Sequence, residues 1–198
     1  IWWQIIHTRA ETGEPYIVNI DRCNEALPQE QKDLGLEVTQ SNLCSEITLP
    51  TNEERTAVCC LSSVNLEYFD EWKYSDVFID DMITMLDNVL EHFIEHAVDT
   101  KSLGKYTANY ERFKNYVKED NKGFTKAAYS AYRERAIGLG AMGFCSHLQR
   151  NGIFFESMYS TSFNHRAFSH IKERSIAASN RLAEERGEAP DMVGSGRR

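Results

Sequence analysis

From about residue 75 onward, apolar residues return at helical steps. Ile79, Met82, Ile83, Leu86, Val89, Leu90, Phe93 and Ala97 recur three and four positions apart, which makes one apolar face over about six turns. The earlier part of the chain has a different rhythm, in which β-branched runs are punctuated by turn chemistry. Tyr16-Ile17-Val18-Asn19-Ile20 follows Gly13-Glu14-Pro15, and Glu46-Ile47-Thr48-Leu49 stops at Pro50. Thr56-Ala57-Val58-Cys59-Cys60-Leu61 follows a charged turn. Each of these predicts a short strand. Further helices are predicted over 106–117, 124–148 and 163–186, the last closed by Gly187 with Pro190 just beyond. Asn121-Lys122-Gly123 and Asn151-Gly152 read as the turns between them. The pattern predicts an α/β chain, strand-rich over 1–74 and helical over 75–198, and the length allows one or two domains.

Composition narrows the functional classes. The chain has 198 residues, 41% hydrophobic and 26% charged, the balance of an ordinary globular domain. Its 22 Lys and Arg against 30 Asp and Glu leave a formal net charge of −8, which argues against a surface built to neutralise nucleic-acid phosphates. No apolar run is long enough to span a bilayer, and Ile1-Trp2-Trp3-Gln4 has neither the basic region nor the cleavage site of a secretory leader. The apolar opening (Ile1, Trp2, Trp3, Ile5, Ile6) and the turn-like close Gly194-Ser195-Gly196-Arg197-Arg198 predict a piece of a longer polypeptide. Five cysteines, an odd and scattered set, predict free thiols in a cytoplasmic protein rather than a disulfide scaffold.

Four motifs could carry chemistry. His92-Phe93-Ile94-Glu95-His96 matches the H-x-x-E-H zinc-hydrolase pattern. At 100° per residue, however, both histidines fall well off the apolar stripe and Glu95 nearly opposite it, so a solvated helix face is the stronger reading. Gly138-Leu139-Gly140-Ala141-Met142-Gly143 matches G-x-G-x-x-G. It follows a helical stretch rather than a strand and has no acidic residue about 20 positions on; close helix packing explains its small residues better. The third motif is Gln40-Ser41-Asn42-Leu43-Cys44-Ser45-Glu46-Ile47. In an extended segment Asn42, Cys44 and Glu46 share one side, setting a thiol between an amide and a carboxylate. That is a costly face to bury; it predicts either a reactive centre or an exposed polar edge. The fourth is Cys59-Cys60 in a strand-like run, either a second reactive sulfur or a buried structural pair.

Taken together these segments resemble the large (α) subunit of class I ribonucleotide reductase. The resemblance rests on Thr12-Gly13, Tyr16-Ile17-Val18-Asn19-Ile20-Asp21, the 40–47 segment with Pro50-Thr51, and Val58-Cys59-Cys60-Leu61-Ser62-Ser63-Val64-Asn65-Leu66. Arg133-Glu134-Arg135-Ala136-Ile137-Gly138-Leu139-Gly140 extends it, and the flavour is that of T4-like phage enzymes. It implies a segment of a ten-stranded α/β barrel whose centre is threaded by a finger loop, followed over 75–198 by a helix-rich region that forms barrel wall in the same domain.

The resemblance also implies roles. Cys44 would become a thiyl radical and abstract the ribose 3′ hydrogen, Glu46 would take the 3′-hydroxyl proton, and Asn42 with Ser41 would contact the substrate. Cys59, with Cys60 as the alternative, would be one of two thiols that end as a disulfide, the other lying before residue 1. No metal or cofactor is expected within this segment. The family draws on a radical-bearing metallo small subunit, a thioredoxin- or glutaredoxin-type reductant and nucleotide effectors. The expected partners are the remaining large-subunit segments, the small subunit and a ribonucleoside diphosphate, in the cytoplasm or, for a viral chain, in the host's. Cys23 and Cys145 are expected to be structural. The rival expectations are a split-gene product needing companion chains, a non-catalytic remnant, and a zinc hydrolase using His92 and His96.

Overall fold

The structure, a computed structural model, describes residues 1–97 and 123–198; the helix expected over 106–117 lies outside the described residues. In chain order the elements are α1 (Trp2–Thr12), α2 (Ile20–Ala26), α3 (Gln29–Asp33), β1 (Cys60–Asn65), a 3-10 turn (Leu66–Tyr68), α4 (Phe69–Trp72) and α5 (Phe78–Ala97). After them come α6 (Gly123–Glu134), β2 (Ile137–Met142), α7 (Phe144–Arg150) and α8 (Met158–Arg186).

α5 follows its sequence pattern. Ile79, Ile83, Leu86, Leu90 and Ile94 are buried on one face, while Val89, about 100° from the centre of that stripe, is exposed. α8 begins earlier than its apolar pattern predicts because Ser157 caps it, the Oγ accepting the Ser160 N–H at 3.2 Å. It ends at Gly187, as expected.

The single helix expected over 124–148 is instead a helix, a strand and a helix. Arg135 takes a left-handed backbone (φ 45°) that stops α6, β2 follows, and Gly143 (φ 76°) precedes α7. The glycines of the 138–143 motif work in a strand rather than in a helix contact. A Cβ on Gly138 would lie 2.4 Å from Leu61 Cδ2, and one on Gly140 3.1 Å from Ser63 Oγ. β1 and β2 pair in parallel, from Cys60 opposite Ile137 to Asn65 opposite Met142. Among the described residues the sheet has these two strands, one on each side of residue 75, and no barrel is closed. The strand expected at 16–20 is absent, since Ile20 opens α2. The run at 46–49 joins no ladder among the described residues, and the one at 56–61 becomes a strand only from Cys60.

One face of the strand pair carries the core. Val64, Leu66, Phe69, Trp72, Ile79 and Ile83 pack with Leu148, Phe163, Ala167 and Leu182, and Phe69 meets Trp72 and Phe163 edge-on at 4.9 and 5.6 Å between centroids. A second cluster of Leu90, Ile94 and Ala131 receives Cys60 and Ile137. α1 buries none of its residues, with Trp2 and Trp3 largely exposed. No described helix is long and apolar enough to cross a membrane.

Candidate active site

The chain after α3 runs out and back as a finger. Its base is fixed by Asn24 on α2, whose Oδ1 accepts the Val38 N–H at 2.8 Å while its Nδ2 donates to the Val38 carbonyl at 3.0 Å. Val38 itself is buried. The two legs are then tied at successive levels. The Thr51 N–H donates to the Glu37 carbonyl at 3.3 Å, the Thr39 and Thr51 hydroxyls bond at 2.7 Å, and Ser41 Oγ donates to the Ile47 carbonyl at 2.6 Å.

At the tip the chain turns rather than continuing as an extended segment. The Ser45 N–H donates to the Asn42 carbonyl at 3.0 Å, and Asn42 Oδ1 accepts the Ile47 N–H at 2.9 Å. Closing its own turn is what a short amide side chain does well. Ser45 stands at φ 62°, a left-handed conformation that a non-glycine residue adopts at a cost of about 1 kcal/mol. The simple alternation expected for Asn42, Cys44 and Glu46 therefore gives way to a turn that leaves all three exposed, beside a Leu43 that is 92% exposed.

Between the finger and the entry to β1 lies a cavity of about 690 Å³, a size that suits a small-molecule ligand. Ser41, Asn42 and Ile47 line it from the finger, Cys59 and Leu61 from the strand, and Arg55 from the stretch between. The structure thus brings Ser41, Asn42 and Cys59 to one space. Cys44 and Glu46 stand at the tip outside that lining. Cys60 goes the other way, into the Leu90/Ile94/Ala131 cluster, as strand alternation requires. Gly138, beside Cys59, lacks the Cβ that would come within 3.4 Å of its sulfur.

Burial first, then the nearby Cys60, Glu46 and Glu134, pushes the Cys59 thiol up to about 11. Glu46 thus acts electrostatically on Cys59 from the finger. Burial also raises Cys60. Beneath the cavity is an ionic cluster that sequence reading missed. Arg55 Nη1 reaches Glu134 Oε1 at 3.2 Å and bonds Asp191 Oδ2, with Nη2 at 3.3 Å from Asp191 Oδ1; Arg133 bonds Asp191 as well. Burial pushes the Glu134 carboxyl up to about 7, although Ser130 and Arg55 oppose the shift. The Arg133-Glu134-Arg135 run was a visible signal, but its partners Arg55 and Asp191 are far away in sequence.

Other candidates fall elsewhere. His92 and His96 lie on the exposed side of α5, their rings 4.0 Å apart and Glu95 exposed beside them. Cys23 is half-buried, whereas Cys145, expected to be a structural thiol, is exposed beside exposed Ser146, while His147 and Leu148 form the buried face of α7.

Comparison with known proteins identifies the family. Residues 1–197 match the family model described as ribonucleotide reductase, barrel domain. The chain is 48% identical, over its whole length, to the ribonucleoside-diphosphate reductase large subunit of Invertebrate iridescent virus 3, of which it covers 28%. It is 43% identical to the protein of that name from Invertebrate iridescent virus 6, across 78% of this chain and 14% of the relative. The class Id ribonucleotide reductase alpha subunit of Actinobacillus ureae superposes with a TM-score of 0.83 at 36% identity, covering all of this chain and 34% of that one. The chain therefore spans about a third or less of the length of these relatives, and the two viral relatives come from iridescent viruses rather than T4-like phages. With a matched model over nearly every residue, the chain belongs to the ribonucleotide reductase barrel-domain family.

Proposed function

We propose that this chain forms the radical-bearing finger and one reducing wall in the catalytic site of a ribonucleoside-diphosphate reductase large subunit. The observation that carries this reading is the shared cavity, lined at once by the base of the Cys44 finger and by Cys59. In this reading the sugar of a ribonucleoside diphosphate lies between them. A thiyl radical on Cys44 takes the 3′ hydrogen, and Glu46 accepts the 3′-hydroxyl proton. The 2′-hydroxyl leaves as water. Cys59 and a partner thiol from elsewhere in the large subunit give two electrons and two protons and end as a disulfide, while Cys44 returns the hydrogen to the 3′ carbon.

The site's chemistry supports these roles. A sulfur exposed at a finger tip reaches a ligand without rearranging a core. Asn42 commits its carbonyl oxygen to the turn, which leaves the amide N–H groups for a substrate hydroxyl, and Ser41 stands beside it on the cavity wall. The Cys59 thiol, pushed up to about 11 chiefly by burial, keeps its proton at neutral pH and so carries one of the two protons that the reduction consumes. The radical comes from a metal-bearing small subunit, and a thioredoxin- or glutaredoxin-type dithiol restores Cys59. Nucleotide effectors act through other parts of the large subunit, in the cytoplasm of the cell or host.

The test is reconstitution of a large subunit carrying this segment with its small subunit. Cys44→Ser is expected to lower deoxynucleotide formation by at least about 10³-fold. Undiminished product would remove the assignment.

A further inference from the structure

Cys59 sits just before β1, so its downstream side is fixed by the pairing of Cys60 with Ile137. Its upstream side has little backbone support. The stretch from Arg55 to Cys59 is irregular: Arg55 exchanges two backbone bonds of 3.3 Å with Asn52, and after it the Thr56 N–H reaches the Lys126 carbonyl at a long 3.4 Å. Among the described residues the sulfur's hydrogen-bond contact is a weak one, to the Cys60 carbonyl at 3.8 Å. Val58 packs against the Leu90/Ile94/Ala131 cluster, and the polar anchor of this stretch is the Arg55 side chain. Its buried guanidinium spans Glu134 at the end of α6 and Asp191 beyond α8, over the face of Tyr129 at 5.6 Å. Asp191 is held in turn by the Arg133 side chain and by a bond from its own N–H to the Arg133 carbonyl at 2.9 Å.

We propose that Arg55 is a positioning residue for Cys59: its buried clamp on Glu134 and Asp191 sets where the reducing sulfur stands on the cavity wall. This rests on the reading of Cys59 as a reducing thiol. A buried ion cluster is seldom more stable than an apolar filling of the same volume, so its worth here lies in fixing geometry. A planar fork with bonds to two carboxylates is suited to that. The clamp also carries a field. Glu134 is 2% exposed, and its Oε2 has no hydrogen-bond partner among the described residues. Glu134 faces Ser130 on its own helix, Arg55 before β1 and Asp191 beyond α8, while Cys59 faces Cys60, Glu46 of the finger and Glu134. The negative charge of Glu134 is thus one of the groups that hold the Cys59 proton in place.

The experiment uses the reconstituted large and small subunits with Arg55→Met, Arg55→Lys and Glu134→Gln. Turnover is measured alongside the pH profile of alkylation at Cys59, with exposed Cys145 as an internal reference. Arg55→Met is expected to lower kcat about 10- to 100-fold, the scale for a reacting group displaced by about 1 Å, with KM changed less than about twofold. Arg55→Lys, which keeps the charge but loses the fork, recovers part of kcat. Glu134→Gln, which is isosteric and keeps the test open even if Arg55→Met fails to fold, moves the midpoint of Cys59 alkylation to lower pH and leaves Cys145 unmoved. Unchanged kcat in the Arg55 variants together with an unmoved Cys59 profile in Glu134→Gln overturns the clamp. So does a loss that Arg55→Lys does not recover and that falls on KM and thermal stability together. Cys59→Ser separates the clamp from the thiol it serves. If Cys59→Ser turns over normally, the reading of Cys59 fails; if it is inactive while Arg55→Met is normal, only the clamp fails.

Discussion

The two walls of the cavity are built on opposite terms. The finger is held by bonds from Asn24, Thr39, Ser41 and Asn42, and its tip leaves Asn42, Cys44 and Glu46 in solvent. The strand wall is rooted in a parallel ladder, an apolar core and a buried ionic cluster. One wall carries its chemistry on a segment with almost no packing, whereas the other carries a sulfur on the edge of the best-packed part of the molecule. Stability and activity should therefore separate on the finger and travel together on the strand side.

The sharpest separation is expected for Cys44→Ser. With activity lost as above, thermal unfolding should change by no more than about 0.5 kcal/mol, as for other exposed substitutions. A large destabilisation would show that the finger is part of the core after all. On the other side, Phe163→Ala removes a buried ring in contact with Phe69 and stacked on His147 at 3.7 Å. It should cost about 3–5 kcal/mol in denaturant unfolding.

Glu134 gives the strand side a pH signature. Its carboxyl is raised from 4.5 to about 7, so the folded chain holds that proton more tightly than the unfolded one. Stability is thus highest below 4.5 from this group and falls by up to about 3 kcal/mol as pH rises toward 7. Asp87 behaves oppositely. Burial works against its charge, but Arg135 and Arg198 outweigh it and hold its carboxyl below the usual range. Its contribution is present above the unfolded value and lost as pH falls. Unfolding curves of Glu134→Gln between pH 4.5 and 7 should lose the Glu134 slope; an unchanged slope would assign it to some other group.

The smallest effect is expected for Asn42→Ala. It deletes the acceptor for the Ile47 N–H on an exposed turn, about 1 kcal/mol or less, but it should lower turnover far more than it lowers stability. Equal losses in both would blur the distinction between the walls.

How much of this was legible in the sequence differs along the chain. The three- and four-residue steps of α5 reflect burial directly, so they read correctly apart from Val89 at the stripe's edge. β2 did not read as a strand, because Gly138 and Gly140 carry no β signal of their own; their reason is the approach of Leu61 and Ser63 across the ladder. The Asn42/Cys44/Glu46 spacing marked the finger, but simple alternation failed at Asn42, where a side chain competes with extended backbone for the Ile47 N–H. The opposite orientation of Cys59 and Cys60 follows from strand period alone. The clamp could not be read, because Arg55 meets Glu134 and Asp191 only once α6 and the segment beyond α8 have folded against it.

The most direct measurement is the fate of the sulfurs after one turnover. A prereduced, reconstituted enzyme is given a ribonucleoside diphosphate and no external reductant, then alkylated and mapped by mass spectrometry. The account predicts one deoxynucleotide per active site with Cys59 recovered in a disulfide and Cys60 as a free thiol. Product formed with Cys59 still free, or with Cys60 oxidised in its place, would contradict it.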